Sequence, residues 1–285
     1  NGDGTWSFNF DGSLRDTPTD NRLMMVTVGG DGRSYFSRRN SPAEVAAQAR
    51  SYHYDVATQT VTLRFEADPV GVVISCSLSF ASFQSVGATV GMYGLELNHF
   101  RTGGPHLSNI DFSAYDVHVN YAWDFQGRTD GWGIGNNTTA IFENCSANFV
   151  QNDGFNSRGD NIHLRLVNSR AIGNNDDGYS PHRSGEYWEV WGGLYQNNGK
   201  GNITPAGGYG FIIGATLDTT LGRMDGYSDS GSFRGLSLIS GENHPVVWIK
   251  DSIIRDVGAN SKAVYNQSAE SHVRLENTII EGADV

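Results

Sequence analysis

Asp153-Gly154-Phe155-Asn156-Ser157-Arg158 is echoed by Asp177-Gly178-Tyr179-Ser180-Pro181-His182, a step of 24 residues. The same step lands on Gly201-Asn202-Ile203 and again on Asp225-Gly226-Tyr227, and upstream, at an offset of 23, lies Asp130-Gly131-Trp132. A turn dipeptide and the apolar residue after it therefore hold register across roughly 100 residues, the signature of a repeat architecture. Other columns keep the same step. Asn144 falls over Asn168. Phe142, Leu166 and Val190 form one apolar column, and Ala140, Leu164 and Trp188 another. Between these columns sit Ile141, Arg165 and Glu189, so apolar and mixed positions alternate with period two, as in a strand with one buried face. Arg165 beside Glu189 makes a favourable cross-strand pair.

A unit of this length is shorter than a propeller blade of about 40 residues, and it lacks the leucine pattern of a leucine-rich repeat. Short strands separated by Gly and Asn turns instead predict an all-β fold, a right-handed parallel β-helix. Its coils of about 24 residues would stack ~4.8 Å apart. Asn144 over Asn168 predicts an amide ladder at one corner. Toward the C-terminus the rhythm loosens, from Val247 to Val273 and from Ile253-Ile254 to Ile279-Ile280. Residues 71–285 are assigned to the solenoid and residues 1–70 to an N-terminal cap or inserted β-rich segment. In that segment Ser41-Pro42-Ala43-Glu44 is a capping box with proline at the first helical position. It opens a short helix through about Ser51. Tyr52–Asp55 and Thr60–Phe65 read as a hairpin around Val56–Gln59, and Leu23–Val28 as an earlier strand. A cover is expected because an open solenoid end exposes unpaired backbone and apolar core.

Composition agrees with a turn-rich chain: 36 of 285 residues are Gly and only 7 are Pro. The net charge of −11 speaks against nucleic acid as a partner, which requires phosphate neutralisation. An acidic substrate would need a local basic cluster. No run of 18 apolar residues occurs, so membrane insertion is not expected. Asn1 opens no recognisable secretion signal, and a processed product or fragment is expected. Cys76 and Cys145 read as buried thiols, with a disulfide left open.

Three stretches carry a family resemblance: Asn174–Arg183 with its partial copy at Asn152–Arg158, Gly199–Pro205, and Ser41–Phe65. Together they resemble the pectate-lyase-like right-handed β-helix superfamily, which includes polysaccharide lyases, mannuronan epimerases, some glycoside hydrolases and phage tailspike depolymerases. The likeness in the coils covers about residues 100–285. It implies an enzyme acting on an extracellular polysaccharide, secreted or carried on a virion tail. Tailspike membership would imply a homotrimer. Mannuronan epimerases carry a Tyr-Gly-Phe-Asp-Pro-His motif, which aligns with Asp177-Gly178-Tyr179-Ser180-Pro181-His182. His182 matches, as do the Gly and Pro that shape the turn. Asp177 and Ser180 replace the family's tyrosine and carboxylate, so epimerase activity would need a different proton donor.

The register predicts which side chains meet. Arg158 lies one coil before His182. Asn152, Asp176 and Lys200 form one column, Asp153 and Asp177 the next, so the group should cluster on one edge within about 10 Å. Such an edge suits uronate chemistry. A cation neutralises the sugar carboxylate, a base removes the α-proton, and an acid protonates the leaving oxygen. Arg158 and Arg183 are candidates for the cation, His182 or Lys200 for the base, and Tyr179 for the acid if its hydroxyl reaches solvent. A hydrolase would instead use Asp153 and Asp177, stacked about 5 Å apart as in a retaining pair, with Asp176 or Asp160 as substitutes. Trp132, Trp188 and Trp191 could offer sugar-stacking platforms. Some have a plainer reading: Asp before Gly is ordinary turn chemistry, and Tyr179 and Trp188 suit a core. The clustered aspartates could hold Ca²⁺, but the spacing of a calcium loop is missing, so no metal or other cofactor is assigned. The expected function is degradation of a uronate-containing polysaccharide by β-elimination. Hydrolysis, epimerisation and a non-catalytic glycan-binding or structural solenoid remain as alternatives.

Overall fold

The computed structural model describes residues 5–9, 26–28, 37–38, 41–49, 51–55, 58, 60–65, 74–76, 84–86, 89–98, 104–122, 129–219, 234–238, 243–255, 262–267 and 269–282. The chain divides into two compact units near residue 79. In the first, Ser41 caps the helix Pro42–Ala47, its Oγ accepting from the Glu44 N–H at 3.3 Å. The helix stops short of the expected Ser51. Gln48 is already extended, and Ser51 opens the strand Ser51–Asp55, its Oγ donating back to Gln48 O. That strand pairs antiparallel with Thr60–Arg64, which pairs in turn with Thr5–Asn9. Of the expected strand Leu23–Val28, Val26–Val28 is observed beside Ile74–Cys76; residues 23–25 lie outside the described residues.

The second unit is a parallel β-solenoid of about 7 turns, with about 24 residues per turn. One coil shows the pattern: Phe155–Ser157, then Ile162–Val167, then Arg170–Ile172. Each run pairs in parallel with its copy in the next coil, Phe155 with Tyr179, Leu164 with Trp188 and Ala171 with Tyr195. The late, looser rhythm is also observed, with Val247 beside Val273 and Ile253 beside Ile279. One register expectation is corrected. The partner of Ile203 is Leu236, whereas the expected Asp225-Gly226-Tyr227 lies outside the described residues.

The long runs bury every second residue, as in Ile162–Val167. Inward residues form columns such as Phe142, Leu166, Val190 and Ile212, all fully buried. Phe142 meets Phe112, Trp132 and Phe155 with ring centroids 5.4, 4.8 and 5.5 Å apart. Above Trp188 the column needs glycine: a β-carbon on Gly210 would lie inside the indole ring. Cys145 is a free buried thiol.

The expected Asn144–Asn168 amide ladder is not what that column builds. Gly94, Asp116, Asn144, Asn168, Gly192, Gly214, Asp251 and Asn277 all have positive φ, so the column is a corner of left-handed backbone. Gly, Asn and Asp recur there because they tolerate that conformation best. Amide ladders form at other corners, through Asn98, Asn120 and Asn148, through Asn109, Asn137 and Asn161, and inside the core through Asn174 and Asn198.

Candidate functional site

Asp130, Asp153 and Asp177 open successive copies of the first run. The Asp153 N–H donates to Asp130 Oδ1 at 3.3 Å, and the Asp177 N–H to Asp153 Oδ1 at 3.1 Å. The Asp130 and Asp153 carboxylates thus each bind the backbone of the coil above. Asn156 Nδ2 donates to Asp153 Oδ2 at 2.7 Å and Thr204 Oγ1 to Asp177 Oδ1 at 2.6 Å. Asp153 and Asp177 are 3% and 4% exposed. Burial, then the charges of Asp177, Asp130 and Asp176, hold the Asp153 carboxyl well above the usual range. Burial and then Asp176 push Asp177 up to about 8. The two do stack as the register predicts, but their oxygens face turn donors and are sealed from solvent. Turn building accounts for them.

Asp176 is the more open member, and its Oδ2 accepts from Lys200 Nζ at 2.8 Å. Burial alone would lower the Lys200 ammonium, but the hydrogen bond and charge of Asp176 prevail and raise it. Lys200 therefore stays protonated at neutral pH, which corrects the expectation that it could serve as a base. Carboxylate oxygens of Asp153, Asp176 and Asp177 all lie within 4.8 Å of one another. These three residues could hold a hard cation, since oxygen donors suit Ca²⁺.

Arg158 follows the strand Phe155–Ser157 and His182 follows Asp177–Pro181, one directly above the other. Arg158 Nη2 lies 3.5 Å from His182 Nε2. A guanidinium only donates, so Nε2 is the accepting nitrogen and Nδ1 carries the proton. Ser180 Oγ lies 3.2 Å from the same Nε2. Burial, then the charges of Arg158 and Arg183, lower His182 to about 4, so the imidazole is neutral at ordinary pH. Among the described residues no carboxylate comes within ion-pair distance of Arg158 or Arg183. The edge thus presents two guanidinium groups beside a neutral imidazole, with Asp130 acting on Arg158 from beyond ion-pair distance.

Other expectations are corrected by burial. Trp132 is fully buried against Phe112 and Phe142, with its indole N–H donating to Ser146 O at 3.3 Å; it cannot stack on a sugar. Trp188 is likewise inside. Tyr179 is fully buried with its hydroxyl 3.2 Å from Ser157 Oγ and its ring against Trp188. Burial and then the Glu186 charge raise its hydroxyl well above the ordinary value, so it cannot act as a solvent-facing acid. Asp160 is exposed, and among the described residues no hydrogen bond or ion pair joins its side chain to Arg158 or His182. Trp191 is exposed as expected. It shares an outer face with Tyr187, Tyr209, Phe211 and Trp248, and both Trp191 and Tyr187 donate to Glu189.

Glu186 was not singled out by sequence. It is 1% exposed, yet it sits beside Ile162 in the register, a column position that predicts an apolar side chain. An acid in an apolar column was the available signal. Its Oε2 accepts from Ser157 Oγ at 2.7 Å, and its Oε1 accepts from the Gly159 and Arg183 N–H groups at 3.4 and 3.0 Å. The His182 N–H points at both oxygens, at 3.3 and 3.2 Å.

Comparison of the chain with protein-family profiles, with curated proteins and with solved structures finds no match.

Proposed function

We propose that this chain degrades an acidic, uronate-containing polysaccharide by β-elimination, at the Arg158–His182–Arg183 edge. The observation that carries this reading is the 3.5 Å approach of Arg158 to a neutral His182, with neither arginine in an ion pair among the described residues. A uronate carboxylate bound by Arg158 and Arg183 loses much of its negative charge, which acidifies the neighbouring C–H. The same binding cancels the two cations that depress His182 and so strengthens it as a base. His182 then takes the α-proton, the C–H electrons form the new double bond, and the bond to the leaving oxygen breaks. The imidazolium returns its proton to that oxygen, so one residue serves as base and then as acid. This removes the need for Tyr179. Such polymers lie outside cells, which is where the chain would work.

Incubation with polygalacturonate or alginate, followed in the ultraviolet for a 4,5-unsaturated product, tests the reaction. Wild type is expected to give that absorbance, and His182→Ala to lose it by at least about 100-fold. New reducing ends without the absorbance would overturn elimination in favour of hydrolysis.

A second reading, a glycan-binding solenoid without turnover, is favoured by the outer aromatic face. Tyr187, Phe211 and Trp248 follow one another at ring-centroid distances of 5.7 and 5.9 Å, and Arg274 lies over Trp248 at 4.8 Å. Exposed aromatic rings can stack on sugar faces, and Glu189 fixes two of those on this face. On this reading oligosaccharides bind, and His182→Ala changes nothing.

A further inference from the structure

The Glu186 carboxylate touches two successive coils at once. Ser157 and Gly159, which flank Arg158, both donate to it, and so do the backbone N–H groups of His182 and Arg183. Resting on the edge described under the proposed function, we infer that Glu186 is its positioning residue. Its ionised carboxylate sets the spacing of Arg158 to His182 and Arg183, and its protonation releases that spacing.

The chemistry of the four donors supports this. Three are backbone N–H groups, which cannot accept a proton. Only Ser157 Oγ can accept, by turning its own O–H toward Tyr179 Oη, 3.2 Å away. A protonated Glu186 therefore has one place for its hydrogen and loses acceptor strength toward the amides. The four donors favour the anion while burial works against it, so the two forms of Glu186 lie close in free energy. Among the described residues the charged and titratable groups around it are Arg158 on the preceding coil, His182 and Arg183 on its own turn, and Tyr179 beyond Ser157. The remaining ties on this turn are neutral: Asn243 Nδ2 donates to His182 O at 3.0 Å, and the Ala206 N–H to Pro181 O at 2.7 Å. Burial pushes Glu186 up to about 7, which places the release within the neutral range.

The test needs no substrate at first. Amide ¹H–¹⁵N spectra of the full chain are recorded between about pH 5 and about pH 9. The signals of Gly159 and of His182 and Arg183, one coil later, should move together with a midpoint near 7. Glu186→Gln should abolish this common transition. It should also weaken binding of polygalacturonate about tenfold, one decade in affinity, and flatten the pH dependence of that binding. Ser157→Ala, which removes the shortest donor, should move the wild-type midpoint upward. It decides the matter if Glu186→Gln does not fold. Independent movement of the three amides, a transition that survives Glu186→Gln, or a midpoint unmoved by Ser157→Ala overturns the role of Glu186. Polygalacturonate that fails to bind while the amides still titrate together overturns the proposed substrate and leaves Glu186 as the residue that positions this edge.

Discussion

His182 shows how much a single side chain owes to its surroundings. Burial and two guanidinium groups lower it to about 4. Arg158→Gln removes one of those cations and should raise the midpoint toward the ordinary value of about 6.5, measured from the imidazole proton signal that His182→Ala deletes. A depressed histidine leaves the unfolded chain holding more protons than the folded one between these values. The stability it contributes is therefore complete above about pH 6.5 and is lost as pH falls through about 4. His182→Gln should show a shallower loss over that interval in urea titrations. Asn168 tests the corner logic. At φ 47, Asn168→Gly should be close to neutral and Asn168→Ala should cost about 1 kcal/mol, read from the shift in urea midpoint. The meeting of Arg158 with His182 was legible in sequence because both sit at the same offset from an Asp-Gly pair. The burial of Trp132 was not, because an aromatic residue after a turn reads the same whether it points inward or outward.

Within one coil, strand register is set by apolar alternation on the long runs and by the left-handed corner that ends them. Between coils, buried amides join the ladder. The N–H and Nδ2 of Asn174 donate to Asn198 Oδ1 at 3.0 and 2.9 Å, and Asn198 Nδ2 donates to Ala171 O at 2.9 Å. Asn198→Ala removes the acceptor of the buried Asn174 N–H, whose Nδ2 keeps only Ala147 O, and should cost about 1–3 kcal/mol. Phe142→Ala opens a cavity among three aromatic rings and should cost about 3–5 kcal/mol. Both are measurable by chemical denaturation. The period of the strands was plain from Ala140, Phe142, Leu164 and Leu166. The inner amide column was not, since Asn174 and Asn198 resemble ordinary turn residues until the corner is seen to fold them inward. The same difficulty hid Glu186, whose neighbour in register is Ile162.

Across the solenoid, each coil contacts chiefly its two neighbours, so coils behave as interchangeable units. Deletion of residues 159–182 removes one full turn and joins Arg158 to Arg183, the residue that normally follows its own stacked partner. That variant should keep a β-rich circular dichroism spectrum and cooperative unfolding. Deletion of half as many residues, 159–170, should not fold, because every inward side chain of the next run would meet the wrong column. Equal stability of the two variants would contradict the stacking register. The solenoid also explains how a chain of net charge −11 can present a cationic edge. Stacking concentrates Arg158 and Arg183 at one corner, while Asp130, Asp153, Asp176 and Asp177 are engaged with backbone or side-chain donors of neighbouring coils.

Periodicity by itself determined that residues 24 apart would lie in register, and hence the parallel solenoid, its core columns and the meeting of Asp153 with Asp177 and of Arg158 with His182. A repeat of side chains repeats the backbone geometry, and that much is local. Only the tertiary structure decided which of those meetings is open to a ligand and which is sealed. Accessibility depends on how the corners fold, so the same Asp and Tyr letters could have faced solvent or the interior. It also decided that a carboxylate from an apolar column, Glu186, would close the turn beneath His182 and Arg183, because that contact joins two coils and belongs to neither alone.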